Sequence, residues 1–64
     1  MNRLKQLREG NMLTLKELAR ATGISAQSLS GYERGVNQPT ADRLIWLADY
    51  FNVTVDYLLE MEER

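Results

Sequence analysis

An all-α fold, a compact bundle of five short helices, is what this sequence predicts, and three observations lead there. Apolar residues recur three and four apart along the chain, the spacing of one helix face. A threonine or serine stands just ahead of four such runs, at Thr14, Ser25, Thr40 and Thr54, where a hydroxyl can cap a helix start. Alternation of apolar and polar residues, the mark of a strand, is confined to residues 52–56, too short a stretch and one interrupted by the Thr54 helix start. With 64 residues the chain makes one domain, 1–64, which buries about 60% of its unfolded surface.

Each element follows in order. Helix one is predicted over Asn2 to Glu9, with Leu4 and Leu7 inward and Gly10 ending it. Arg8 shares the Leu4 face and is expected to be partly covered. Thr14-Leu15-Lys16-Glu17 is a capping box, the threonine capping from the front and Glu17 reaching back. Helix two then runs to about Ala21, with Leu18, Ala19 and Ala21 on one face. Gly23 supplies the left-handed residue that ends it and redirects the chain. Ser25 caps helix three, which runs to about Arg34 and is closed by Gly35. Ile24, Leu29 and Tyr32 supply its inner side, and the small Ala19 lets the two helices approach where they cross.

A loop over Val36 to Pro39 leads to Thr40, the cap of helix four, with Asp42 well placed for its dipole. Leu44, Leu47, Ala48 and Phe51 form the buried stripe of that helix, and Asn52 ends it. Thr54 caps helix five, with Asp56 in its first turn and Val55, Leu58 and Leu59 inward. The polar tail 60–64 is expected to fray. No repeat, linker or low-complexity segment is present.

Composition excludes several functions. There is no cysteine and no histidine, which removes disulfides, zinc-finger chemistry and the commonest acid–base side chain. With no metal cluster or phosphate-cradling loop either, an enzyme is not expected, nor a cofactor, nor a small-molecule ligand in so small a domain. No apolar run approaches the ~20 residues of a membrane span and no signal peptide is visible, so a cytoplasmic protein is expected. Met1 reads as a natural start. The net charge is −1, but its distribution is uneven: the balance is +3 over residues 1–20, zero over 21–40 and −4 over 41–64. Such a polar molecule can turn a mildly positive face to nucleic acid and an acidic end away.

Residues 15–34 read as two short helices set at a large angle by a glycine-containing turn, the helix-turn-helix pattern. The stretch resembles the Cro/CI-type helix-turn-helix of the XRE family of bacterial and phage regulators. Ala19, Gly23 and Leu29 match its signature positions. Gly-Ile-Ser…Leu-Ser…Tyr-Glu-Arg-Gly over 23–35, the loop from Asn37 to Thr40 and the ending Val53 to Leu59 are similar to it as well. The resemblance covers essentially the whole chain.

That resemblance implies a sequence-specific DNA-binding transcriptional regulator, expected to be a repressor. It would bind double-stranded DNA as a homodimer on a two-fold operator, with helix three in the major groove. It places base-facing side chains at Ser25, Ala26, Gln27 and Gly31, with Ser28 and Ser30 nearby. Gln27 carries an amide that can pair bidentately with adenine, Ala26 a methyl suited to thymine, and the serines permissive hydroxyls. Gly31 offers nothing to read, and its use would be close approach of backbone to DNA or none.

Lys16 is the best placed cation for a phosphate. Arg34 and Arg3 are weaker, and Asn37 and Gln38 can donate from the loop. N-terminal N–H groups of helices two and three can each face a phosphate. The chain departs from the family at Leu15, where relatives often carry glutamine. It departs again at Val36-Asn37-Gln38, where they often carry a basic residue. Both changes lower the expected affinity.

The resemblance also pairs Arg8 with Glu33 beneath the surface as a structural ion pair. Trp46 and Tyr50 lie off the buried stripe of helix four and, with Val55 and Tyr57, are expected to form a dimer surface. The rival reading is a protein-interaction module of the same fold, an antitoxin-like subunit. The weak basic character and the exposed aromatics favour that rival, while the turn motif and polar start of helix three favour DNA.

Overall fold

The structure, a computed structural model, describes residues 1–59. Among them the chain forms five helices and no strand: α1 (Asn2–Gly10), α2 (Leu15–Thr22), α3 (Ala26–Arg34), α4 (Ala41–Phe51) and α5 (Val55–Leu58). The tail expected to fray lies outside the described residues. No described helix is long and apolar enough to cross a membrane.

Local chemistry sets the boundaries. The Glu17 N–H donates to Thr14 Oγ1 at 3.0 Å, and Glu17 returns the contact by accepting from the Thr14 N–H at 2.8 Å. Ser25, Thr40 and Thr54 each accept from the N–H three residues on. Two orphan donors are thereby satisfied at the start of α2, and one at each of the other three. Gly23 and Gly35 take left-handed φ values of 79° and 77° at the ends of α2 and α3. Asn52 does the same for α4 at 56°, a conformation asparagine tolerates better than most residues.

The end of α1 corrects the expectation. Gly10 remains helical, and the left-handed position falls two residues later, on Met12 at φ 59°. There Leu13 N–H reaches back to the Arg8 carbonyl at 3.1 Å and Met12 N–H to Glu9 at 2.9 Å, a Schellman-type closure.

Leu4, Leu18, Ile24, Leu29, Tyr32, Leu47, Ala48 and Leu58 make one core drawn from every helix and from the α2–α3 turn. Truncating one of its fully buried leucines to alanine would cost about 2–5 kcal/mol. Leu7, Ala19, Leu44, Phe51 and Val55 pack around its margin. Ala21 does not: it is exposed, at the edge of the α2 face beside α4. α2 packs on α3, α1 bridges α3 and α5, and α4 lies against α5 and α2.

Candidate nucleic-acid interface

The turn between α2 and α3 aims the second helix. Thr22 Oγ1 donates to the Leu18 carbonyl at 2.8 Å and accepts from the Ile24 N–H at 3.3 Å. The Gly23 N–H closes α2 on the Ala19 carbonyl at 2.8 Å. Ile24 then drops into the core, which pins the start of α3 immediately after the turn.

With 100° per residue, Leu29 and Tyr32 hold α3 to the core and leave Gln27, Ser30, Gly31 and Arg34 on its outer side. The structure gives the residues expected there different situations. Gln27 is exposed and its amide makes no hydrogen bond among the described residues. Ser25 and Ser28 are occupied with each other, their hydroxyls 3.0 Å apart. Ala26 is half-buried. Ser30 Oγ accepts from Arg34 Nε at 3.2 Å, which ties the two together one turn apart.

Gly31 lies on the outer side yet is buried, because the loop after α3 folds back over it. Its carbonyl accepts from the Val36 N–H at 2.9 Å and the Asn37 N–H at 3.3 Å, and the Asn37 side chain covers its Cα. Of the two uses the sequence suggested for this glycine, the structure shows a different one: it seats a loop side chain.

Lys16 stands exposed in the first turn of α2, and Asn37 and Gln38 are exposed in the loop. Arg3 is corrected. It is buried, its guanidinium carbon 4.1 Å from the centre of the Tyr57 ring, and Nη1 donates to the Tyr57 carbonyl at 3.4 Å. It belongs to the α1–α5 contact and not to the face around α3.

Beneath that face Arg8 and Glu33 meet side on. Arg8 Nε donates to Oε2 at 2.6 Å and Nη2 to Oε1 at 3.1 Å, while Nη1 reaches the Leu13 carbonyl at 2.8 Å. The two side chains are only 12% and 6% exposed. The hydrogen bonds to Glu33 hold the Arg8 guanidinium above its usual pKa, against the opposing effect of desolvation. The pair therefore ties α1, the α1–α2 turn and α3 into one frame. Sequence reasoning missed a second such tie: Arg43 Nη1 of α4 donates to the Tyr32 hydroxyl at 2.7 Å. An arginine eleven residues from a tyrosine carries no local pattern that would reveal it.

The helix-turn-helix family model matches residues 4–58 of the chain, from α1 to the end of α5. The chain belongs to the XRE helix-turn-helix family. Membership places this XRE chain among non-enzymatic DNA-binding domains of transcriptional regulators. It is 41% identical over 95% of its length to two regulators of Bacillus subtilis (strain 168). One is the uncharacterized HTH-type transcriptional regulator YobD, of which it covers 54%, and the other is ImmR, of which it covers 48%. It is also 38% identical to the HTH-type transcriptional activator BcrR of Enterococcus faecalis, over 95% of this chain and 30% of that protein. The chain thus spans about half the length of the first of these relatives. No solved structure is a significant match.

Away from α3, the XRE domain exposes aromatic surface on α4. Trp46 and Tyr50 are 52% and 44% exposed and line a shallow groove with Ala21, Thr22 and Asp49. Tyr50 meets Phe51 edge-on, ring centres 5.0 Å apart, rather than covering Trp46. Tyr57 lends one ring face to Arg3, and Val55 packs against the core margin.

Proposed function

We propose that the chain is a sequence-specific DNA-binding module of a cytoplasmic transcriptional repressor, acting as a homodimer on a two-fold operator. The observation that carries this is the outer side of α3. A rigid helix, aimed by the Gly23 turn and backed by the Arg8–Glu33 pair, presents the free Gln27 amide, and Lys16 is exposed in the first turn of the preceding helix. Repression, by occupying a site, is the mode such a face supports by itself. With a net charge of −1 the domain has little overall attraction for phosphate, so base contacts carry a larger share of the binding. The exposed Trp46 and Tyr50, with Tyr57, are the surface proposed to meet a second copy.

The test separates base reading from phosphate contact. Gln27→Ala is expected to lose about 1–3 kcal/mol of discrimination at one base pair per half-site and to keep its salt dependence. Lys16→Ala is expected to weaken binding to every duplex and to flatten the salt slope by about 1 per half-site. Binding is titrated on a selected duplex and a scrambled one at several salt concentrations. If both variants bind like the parent, α3 does not read DNA, and the protein-interaction reading replaces this one.

A further inference from the structure

The interior of α3 contains a glycine, which weakens a helix relative to alanine. Its φ is not left-handed, so conformation does not require it. What requires it is space. A Cβ built on Gly31 would come 2.7 Å from Nδ2 of Asn37, with Cγ and Cβ of that side chain at 3.5 and 3.7 Å. The amide of Asn37 therefore occupies the place that a side chain at position 31 would fill.

That place matters because of where it falls. Gly31 is one turn after Gln27 on the same outer stripe, about 6 Å along the axis. The Asn37 backbone is held there by its own N–H on the Gly31 carbonyl and by that of Val36. The Asn37 side chain is exposed, and its amide makes no hydrogen bond among the described residues.

We propose that Asn37 is a second base-reading residue, lent to the outer stripe of α3 by the loop, and that Gly31 is the positioning residue that makes room for it. The inference rests on the DNA reading above and deepens it. Two primary amides then stand in line, and an amide is the group that pairs bidentately with adenine in the major groove. Position 31, where the Asn37 amide is seated, lies ~6 Å along the helix from position 27, more than one base-pair rise of ~3.4 Å, so the two amides are expected to address different base pairs. The sequence had suggested backbone contact for Asn37; its seat on Gly31 puts its amide on the outer side of α3 instead.

The experiment uses the full chain and four variants: Gln27→Ala, Asn37→Ala, Gly31→Ala and the double variant Gly31→Ala with Asn37→Ala. A bound duplex is first selected from a random pool with the parent. Each base pair is then replaced in turn and the affinities of all five proteins are measured. Asn37→Ala is expected to lose about 5- to 150-fold of discrimination at one base pair, distinct from that lost by Gln27→Ala. Gly31→Ala is expected to lose discrimination at the Asn37 base pair while melting at the parent's temperature or above. The added methyl displaces the end of a flexible side chain and not the helix, and alanine favours the helix. The double variant is expected to match Asn37→Ala alone.

If Asn37→Ala weakens every duplex equally, the residue is a backbone contact and the inference fails. It fails likewise if Gly31→Ala reads every base pair as the parent does. Loss of discrimination with Gln27→Ala alone would leave the DNA reading standing and remove only this extension. Failure of the parent to prefer any duplex would remove both.

Discussion

Replacing Glu33 with alanine tests the frame on which the face of α3 rests. The change removes both acceptors that face Arg8 Nε and Nη2 and leaves the guanidinium with the Leu13 carbonyl. Glu9 remains 3.8 Å away, but it is 58% exposed and screened by water. Breaking a buried ion pair by removing one partner costs about 3–5 kcal/mol, because the other charge stays buried without compensation. Arg8 retains some exposure and one hydrogen bond, so the lower end, about 3 kcal/mol, applies.

A chain of this size has about 3–10 kcal/mol of total stability. At about 4–8 °C per kcal/mol, the melting temperature should fall by roughly 12–24 °C. Thermal unfolding followed by far-ultraviolet circular dichroism measures it. The sign of the pH dependence is also set. A guanidinium whose pKa is raised on folding contributes its full stabilisation below its ordinary pKa and loses it only as pH climbs past the folded value. The difference between parent and variant should therefore include the whole Arg8 contribution at neutral and at mildly alkaline pH. A Glu33→Ala protein melting within about 4 °C of the parent, less than ~1 kcal/mol, would show that the pair does not hold the frame together.

Two further outcomes are expected. Met12 is left-handed and 89% exposed, so Met12→Gly removes backbone strain of about 1–2 kcal/mol without loss of packing. Glycine's greater freedom in the unfolded chain offsets part of that, and a rise of a few degrees in melting temperature is the net result; a fall would mean that Met12 pays no conformational penalty. In sedimentation, a duplex with two half-sites about 34 Å apart should carry two chains and Trp46→Lys should lose the cooperativity of their binding, whereas one chain saturating such a duplex would contradict the dimer.

The sequence by itself determined the helices and most of their ends, because those depend on neighbours in the chain. A threonine hydroxyl reaches an N–H three residues on, and a glycine takes a left-handed φ wherever a helix must stop. Such rules are complete within a window of a few residues, and so Thr14, Gly23, Ser25 and Asn52 were legible. The rule misled at Gly10: the N–H groups of Asn11, Met12 and Leu13 bond to carbonyls of the last turn, so Gly10 stays helical and closure comes at Met12, which no composition rule favours. Ala21 misled in a similar way, since a three-four pattern in eight residues defines a face only loosely.

Only the tertiary structure decided which side chains meet across the chain. Burial of Arg3 over Tyr57, the tie from Arg43 to the Tyr32 hydroxyl and the seat of Asn37 on Gly31 join residues from 6 to 54 positions apart. Arginine on a surface helix looks the same in sequence whether it faces phosphate, a ring or a hydroxyl. Its fate depends on which helix is packed opposite, and that is set by the core as a whole rather than by the residue's own neighbours.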